Sequence, residues 1–285
     1  MCLVLLFAPV MAACGTESNG DGGRVQLLAS FYPLAEAAQQ VGGDRVGVLN
    51  LTPAGVEPHD YELTTDDVDH IEDADLVIYV GSGFQPAVER ALTRREGRSL
   101  DISAGLLTLK GDPHFWLDPN RMIDAVTRVR DGLRRVDRDH ASVYKVNAAA
   151  YVAKLRALAE DFRTGLATCD RREIVTAHAA FGYLAKRYDL TQRSISGVSP
   201  DAEPSPQRLA ELSAQIKRDG VTTVFYEELV PRDFADTLAR DAGVKTAVLN
   251  PLEALTKKQL ADGNDYISVM RDNLAALRVA LGCEI

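Results

Sequence analysis

The chain has 285 residues, of which 46% are hydrophobic and 26% charged, and its formal net charge is −9. That length accommodates two domains of ordinary size, each with its own core. The acidic balance excludes the broad basic face that phosphate binding requires, so no nucleic-acid partner is expected.

The first residues stand apart from the rest. Met1 to Ala13 carries no charge and contains the apolar run Leu3 to Phe7, too short to span a bilayer. It closes on Met11-Ala12-Ala13-Cys14, where small residues suit a secretory cleavage site. The Ala-Ala-Cys ending resembles a bacterial lipobox, in which cleavage precedes a lipid-modified cysteine. Met11 stands where Leu is usual, and the positively charged leader is missing, as a start site placed too far downstream would produce. Residues 1–13 are therefore expected to be a signal peptide, Cys14 the lipidated first residue, and the Gly-rich stretch 14–24 a flexible tether.

From Val25 onward, strand-like apolar runs alternate with helical patterns. Val25 to Ser30 predicts a strand and Leu34 to Val41 a helix ended by Gly42-Gly43; Val46 to Leu51 is a second strand. Thr64-Thr65-Asp66-Asp67 opens a helix, with hydroxyl caps and acids in the first turn. Asp75 to Val80 is a third strand, Pro86 to Thr93 a helix and Ser99 to Ile102 a fourth strand. Such alternation implies βαβ units and parallel sheet. The middle of the chain differs, with no strand pattern and almost no Gly or Pro from Arg121 to Thr168. Met122, Val126, Val129 and Leu133 predict a helix at about 120–135. Val143, Ala150, Val152, Leu155, Leu158 and Phe162 predict a longer one at about 139–167, stiff enough to join two domains. Alternation then resumes with strands at Glu173 to Thr176, Arg193 to Gly197, Thr222 to Tyr226 and Val244 to Leu249. Helices follow at 179–187, 206–218, 234–241 and 264–281. The expected fold is α/β: an N-terminal lobe at 25–137, a linker helix at 138–168 and a C-terminal lobe at 169–285.

Cys169 precedes a predicted strand and Cys283 follows the last predicted helix. In an exported domain they either pair, pinning the C-terminus, or remain two buried thiols.

The five histidines are unevenly informative. His70 and His140 lie on predicted helices among charged residues and read as surface groups. His59, His114 and His178 each lie at or beyond the C-terminal end of a strand, where open α/β sheets bind ligands. His114 belongs to the stiff segment Gly111-Asp112-Pro113-His114-Phe115-Trp116-Leu117-Asp118-Pro119-Asn120, which holds the only tryptophan. Converging from two lobes, three neutral imidazoles suit Zn²⁺, with Mn²⁺ less favoured because it prefers oxygen donors.

Three motifs carry a specific resemblance: Pro58-His59-Asp60-Tyr61-Glu62, Asp112-Pro113-His114-Phe115-Trp116-Leu117-Asp118-Pro119 and Thr176-Ala177-His178-Ala179-Ala180-Phe181-Gly182-Tyr183. Together they resemble the metal-ligand motifs of zinc/manganese ABC-transporter solute-binding lipoproteins, over nearly everything from Val25 onward. The resemblance implies two Rossmann-like lobes with parallel sheets, a long rigid linker helix, and metal held between the lobes by His59, His114 and His178. It also implies a monomer, lipid-anchored outside the cytoplasmic membrane, that delivers its ion to an ABC permease and is not an enzyme.

At the fourth position the chain departs from that family, whose members usually carry Leu-Asp-Pro-Leu. Here the segment reads Leu249-Asn250-Pro251-Leu252. Either Asn250 hydrogen-bonds a metal-bound water, another carboxylate replaces it, or the position stays open. Glu227, ending the seventh strand, is the first-ranked replacement; its other role would be a hydrogen bond to a ligating histidine. Glu57 is a weaker candidate. Two rival functions are a zinc hydrolase, which an open position would favour, and a surface adhesin of the same fold.

Overall fold

The computed structural model describes residues 23–284; the signal peptide and Cys14 expected from the sequence lie outside them. The N-terminal half builds β1 (Val25–Ala29), α1 (Tyr32–Gly42), β2 (Val46–Asn50), α2 (Thr65–Asp73), β3 (Leu76–Tyr79), α3 (Pro86–Leu92) and β4 (Arg98–Asp101). Two helices follow, α4 (Pro119–Val136) and α5 (Ala141–Gly165). The second half builds β5 (Glu173–Thr176), α6 (Gly182–Arg187), β6 (Thr191–Ser194), α7 (Pro206–Asp219), β7 (Thr223–Tyr226), α8 (Asp233–Ala242), β8 (Lys245–Val248), α9 (Lys257–Ala261) and α10 (Tyr266–Leu281). Each half contains one all-parallel sheet of the same topology, ordered β2-β1-β3-β4 and β6-β5-β7-β8. In both, the chain leaves the first strand to one side and returns on the other. The crevice this opens lies at the C-terminal strand ends.

Local chemistry explains where several elements begin. The Thr64 side chain accepts from the Asp67 backbone, and the Asp67 carboxylate accepts from Thr64 N–H in return, a capping box that starts α2. Asp118 caps α4 by accepting from Asn120 N–H, and Pro119 supplies a preset first helical residue. Two sequence expectations shift. The strand placed at Arg193 to Gly197 forms earlier, at Thr191–Ser194, because its ladder is set by pairing with Glu173–Thr176. The short α9 was not expected from periodicity; it is made by a capping box between Thr256 and Gln259.

Helix α5, 25 residues and about 37 Å long, is the spine of the molecule. Its buried stripe is Tyr144, Ala148, Tyr151, Leu155, Leu158 and Phe162. The later positions match the apolar periodicity, and half-buried Val152 packs against the core, but Val143 and Ala150 do not join it. The tyrosines outcompete them because they bring more apolar area, while the Tyr144 hydroxyl reaches the Asp137 carboxylate. Through α5, packed against α1, α4 and α10, one continuous apolar core joins the two halves.

The C-terminal end of the last helix is tied down. Thr222 donates to Ala280 O, and a disulfide joins Cys169 to Cys283 across 114 residues. Closing a loop of that length restricts the unfolded chain by about 4–5 kcal/mol in the loop-entropy description. The double variant Cys169→Ser/Cys283→Ser should therefore lose about 2–5 kcal/mol of unfolding free energy. Denaturant titration of variant and parent checks this, and the parent should show the same loss once reduced.

Candidate metal centre

The three strand-end histidines meet. His59 arrives on the loop after β2, His114 on the Pro-flanked segment after β4, and His178 directly after β5. His114 and His178 are fully buried and His59 is 8% exposed. His59 Nε2 and His178 Nε2 lie 3.3 and 3.4 Å from His114 Nε2. The fourth member of the cluster is Glu253, 2% exposed, whose Oε1 lies 3.2, 3.0 and 3.3 Å from the Nε2 atoms of His59, His114 and His178. All four donor atoms fall within 4.8 Å of one another. A tetrahedron with bonds of about 2.0–2.1 Å has edges of about 3.3–3.4 Å, close to the five separations of 3.0–3.4 Å given above, so the cluster is of a size to hold one zinc ion.

Glu227, expected from its strand-end position to supply the fourth donor, is placed elsewhere. Its Oε1 lies 2.7 Å from His178 Nδ1 and accepts from His178 N–H, behind the ring rather than in the cluster. Asp112 does the same for His114, with Oδ1 2.8 Å from Nδ1 and 2.9 Å from the backbone nitrogen. Each carboxylate claims the Nδ1 proton and leaves Nε2 as the lone-pair donor facing the cluster. Gly182 makes room for this arrangement: a Cβ there would lie 2.5 Å from the far oxygen of Asp112. Glu57, the weaker candidate, accepts from His59 N–H through Oε2 and is likewise outside the cluster. His70 and His140 take no part in it.

Asn250 does not reach the imidazoles either. Its Oδ1 accepts from Leu252 N–H at 2.7 Å, and its amide nitrogen donates to Glu228. The family pattern points to Asn250, three residues short of Glu253. The available signal was an acid inside the apolar run Leu252-Glu253-Ala254-Leu255, all four residues of which are buried.

Electrostatics bind the cluster together. Burial works hardest against charge on His178, but the carboxylates of Glu227 and Glu253 outweigh it and hold its pKa well above the imidazole range. His114 is raised against the same opposition by the hydrogen bonds its ring donates to the carboxylates of Asp112 and Glu253. Burial likewise opposes ionisation of Glu253, yet His178 and the hydrogen bonds from the imidazoles hold it well below the usual carboxylate range. Glu57 is pushed up to about 7, first by burial and then by the charge of Glu253.

The segment around His114 also locks the two halves together. Trp116 Nε1 donates to Pro251 O at 2.9 Å, and the Tyr266 hydroxyl donates to Trp116 O. Arg187 on α6 pairs with buried Asp118 at 2.9 Å. The Tyr183 hydroxyl accepts from the backbone N–H groups of Thr108 and Leu109.

Two parallel-sheet lobes enclosing a buried, polar cluster between them define the architecture of a solute-binding protein. Residues 27–280 match the family model described as "Zinc-uptake complex component A periplasmic", and the chain belongs to that family. It is 39% identical to the zinc-binding lipoprotein AdcA of Streptococcus pneumoniae, with 97% of this chain and 59% of the relative aligned. It thus spans about three-fifths of the length of that relative. It is 35% identical to the high-affinity zinc uptake system protein ZnuA of Bacillus subtilis, covering 95% of this chain and 94% of that protein. Among solved structures, the Zn(II)-bound ZnuA-like domain of Streptococcus pneumoniae AdcA superposes with a TM-score of 0.82 at 41% identity. That match covers 91% of this chain and 99% of the domain. The laminin-binding protein Lmb of Streptococcus agalactiae, described as a bifunctional protein with adhesin and metal transporting activity, gives 0.83 at 32%, over 90% and 99% of the two chains.

The carboxylates behind the rings generate a prediction. Glu227→Gln and Asp112→Asn should each weaken zinc binding by about 10–100-fold while leaving every cluster donor in place. Competition titration with a zinc chelator measures this, and circular dichroism confirms that the variants are folded.

Proposed function

We propose that this protein captures zinc outside the cytoplasm and hands it to an ABC-type permease in the membrane. The observation that carries the reading is the buried set His59, His114, His178 and Glu253, whose donor atoms all lie within 4.8 Å of one another, a cluster of the size a zinc site needs. Three imidazoles and one carboxylate favour Zn²⁺ over Mn²⁺, which prefers more oxygen ligands. The zinc-binding names of the relatives support the same ion. In this reading Cys14 carries the lipid anchor, residues 14–24 are the tether, and the mature protein works as a monomer. Among the described residues no helix is long and apolar enough to cross a membrane. The continuous core between the lobes makes spontaneous opening costly, so release falls to the permease.

The protein is not an enzyme in this reading. A hydrolytic zinc centre keeps a coordination position for water, and Glu253 stands where that water would be. The adhesin alternative draws on no feature of the metal centre.

Purified protein should bind one zinc ion per chain, and His178→Ala should lose more affinity than either outer-carboxylate variant. Zinc at about a thousand times its dissociation constant should add about 4 kcal/mol to stability. Protons compete with the ion for Nε2. Without zinc, the His178 contacts with Glu227 and Glu253 stabilise the fold below the ordinary imidazole value of 6.5, and this contribution is lost as pH rises through the raised value in the folded protein. Metal binding must expel that proton, so the zinc-induced rise in melting temperature should grow between about pH 6 and about pH 8. Calorimetry across that range checks the sign; absence of stoichiometric zinc at pH 8 would sink the proposal.

A further inference from the structure

Glu253 reaches the cluster from a segment with no regular structure of its own. Leu249 to Leu255 is buried at every position, so its backbone polar groups must find partners inside the protein. Asn273, on α10 and 2% exposed, provides two of them. Its Oδ1 accepts from Asn250 N–H at 2.8 Å, and its Nδ2 donates to Asn250 O at 2.7 Å. Asn273 thus reads the backbone of residue 250 on both sides, as a neighbouring strand would. The Asn250 side chain then folds forward, and Oδ1 accepts from Leu252 N–H. That contact closes an Asx turn, and the turn holds Leu252 at φ +58°. Leucine is disfavoured there, so the conformation persists only where surrounding contacts over-determine it. The next side chain is Glu253. Were Leu252 to relax to an extended conformation, the direction of Glu253 would change with it.

We infer that Asn250 and Asn273 are positioning residues for the fourth metal donor: their paired amides impose the left-handed turn at Leu252 that aims a single oxygen of Glu253 at the three imidazoles. Asparagine suits position 250 for a further reason. Its Nδ2 donates to the Glu228 carboxylate at 3.3 Å, a contact that an aspartate would turn into repulsion between like charges. The site therefore draws its carboxylate from three residues downstream. The inference rests on the reading that the cluster binds zinc.

A merely structural clamp and a positioning one differ in a double-mutant cycle with Glu253→Ala. If Asn250 acts through Glu253, Asn250→Ala should weaken zinc binding by about 10–100-fold in the parent. In the Glu253→Ala background it should cost no more than about twofold, because the donor it aims is already gone. Cobalt(II) provides a second readout, since its visible spectrum reports coordination geometry. The Asn250→Ala spectrum should move toward that of Glu253→Ala. Asn250→Ser retains a hydroxyl acceptor for the residue 252 N–H and should stay closer to the parent than alanine does, in affinity and in spectrum. The same cycle run with Asn273→Ala, which removes both amide contacts to the residue 250 backbone, serves if alanine at 250 prevents folding. Unchanged affinity and spectrum in Asn250→Ala, equal losses with and without Glu253, or a serine loss as large as that of alanine would each overturn the inference alone. Failure of the parent to take up zinc would overturn the proposed function and this inference together.

Discussion

The metal centre depends on the placement of one carboxylate, Glu253, in contact with three imidazoles that are almost wholly shielded from water. A buried carboxylate is strongly penalised unless opposite charge or several donors compensate it. Glu253 obtains both from His59, His114 and His178, and these in turn come from both halves of the chain. The contact therefore forms only when the lobes are closed on one another, which the molecule arranges independently of the cluster. The α5 spine, the bond from Trp116 to Pro251 and the pair between Asp118 and Arg187 hold the halves in place. The charged centre is then assembled inside a frame that apolar packing, a neutral hydrogen bond and one ion pair have already paid for.

This division of labour explains what could be read from the sequence. Alternating strands and helices, the long middle helix and the strand-end positions of His59, His114 and His178 all follow from periodicity and from where parallel sheets open. Tyr144, Ala148 and Tyr151 fall outside the apolar pattern, because amphipathic tyrosines and a small alanine contribute weakly to it, although packing selects them. The cysteine pair was left open by the sequence. The fold settles it by bringing Cys169 and Cys283 together at the end of α10.

Glu253 was missed for a different reason. The strand-end rule points to groups directly after a strand, and Glu227 satisfies it, directly after β7. That rule does locate a functional carboxylate, but one that orients His178 from behind. Glu253 lies five residues beyond the end of β8, past a proline and a left-handed leucine. No periodicity extends through such a segment. Its direction is set by side chains distant in sequence, Asn273 and Trp116. Long-range hydrogen bonding of this kind is invisible to any local reading.

The carboxylates around the cluster also make protons and divalent metal alternatives for the same electrostatic demand. Glu253, Glu227 and Asp112 converge on His114 and His178, and their combined negative field needs positive charge near the Nε2 atoms. Protons on the imidazoles meet it in part, which is why the His178 and His114 pKa values rise against burial. A divalent cation meets it more fully, because it draws on all four donors at once and leaves the Nδ1 hydrogen bonds to Asp112 and Glu227 intact. Exchange of protons for metal can then occur with little rearrangement behind the rings.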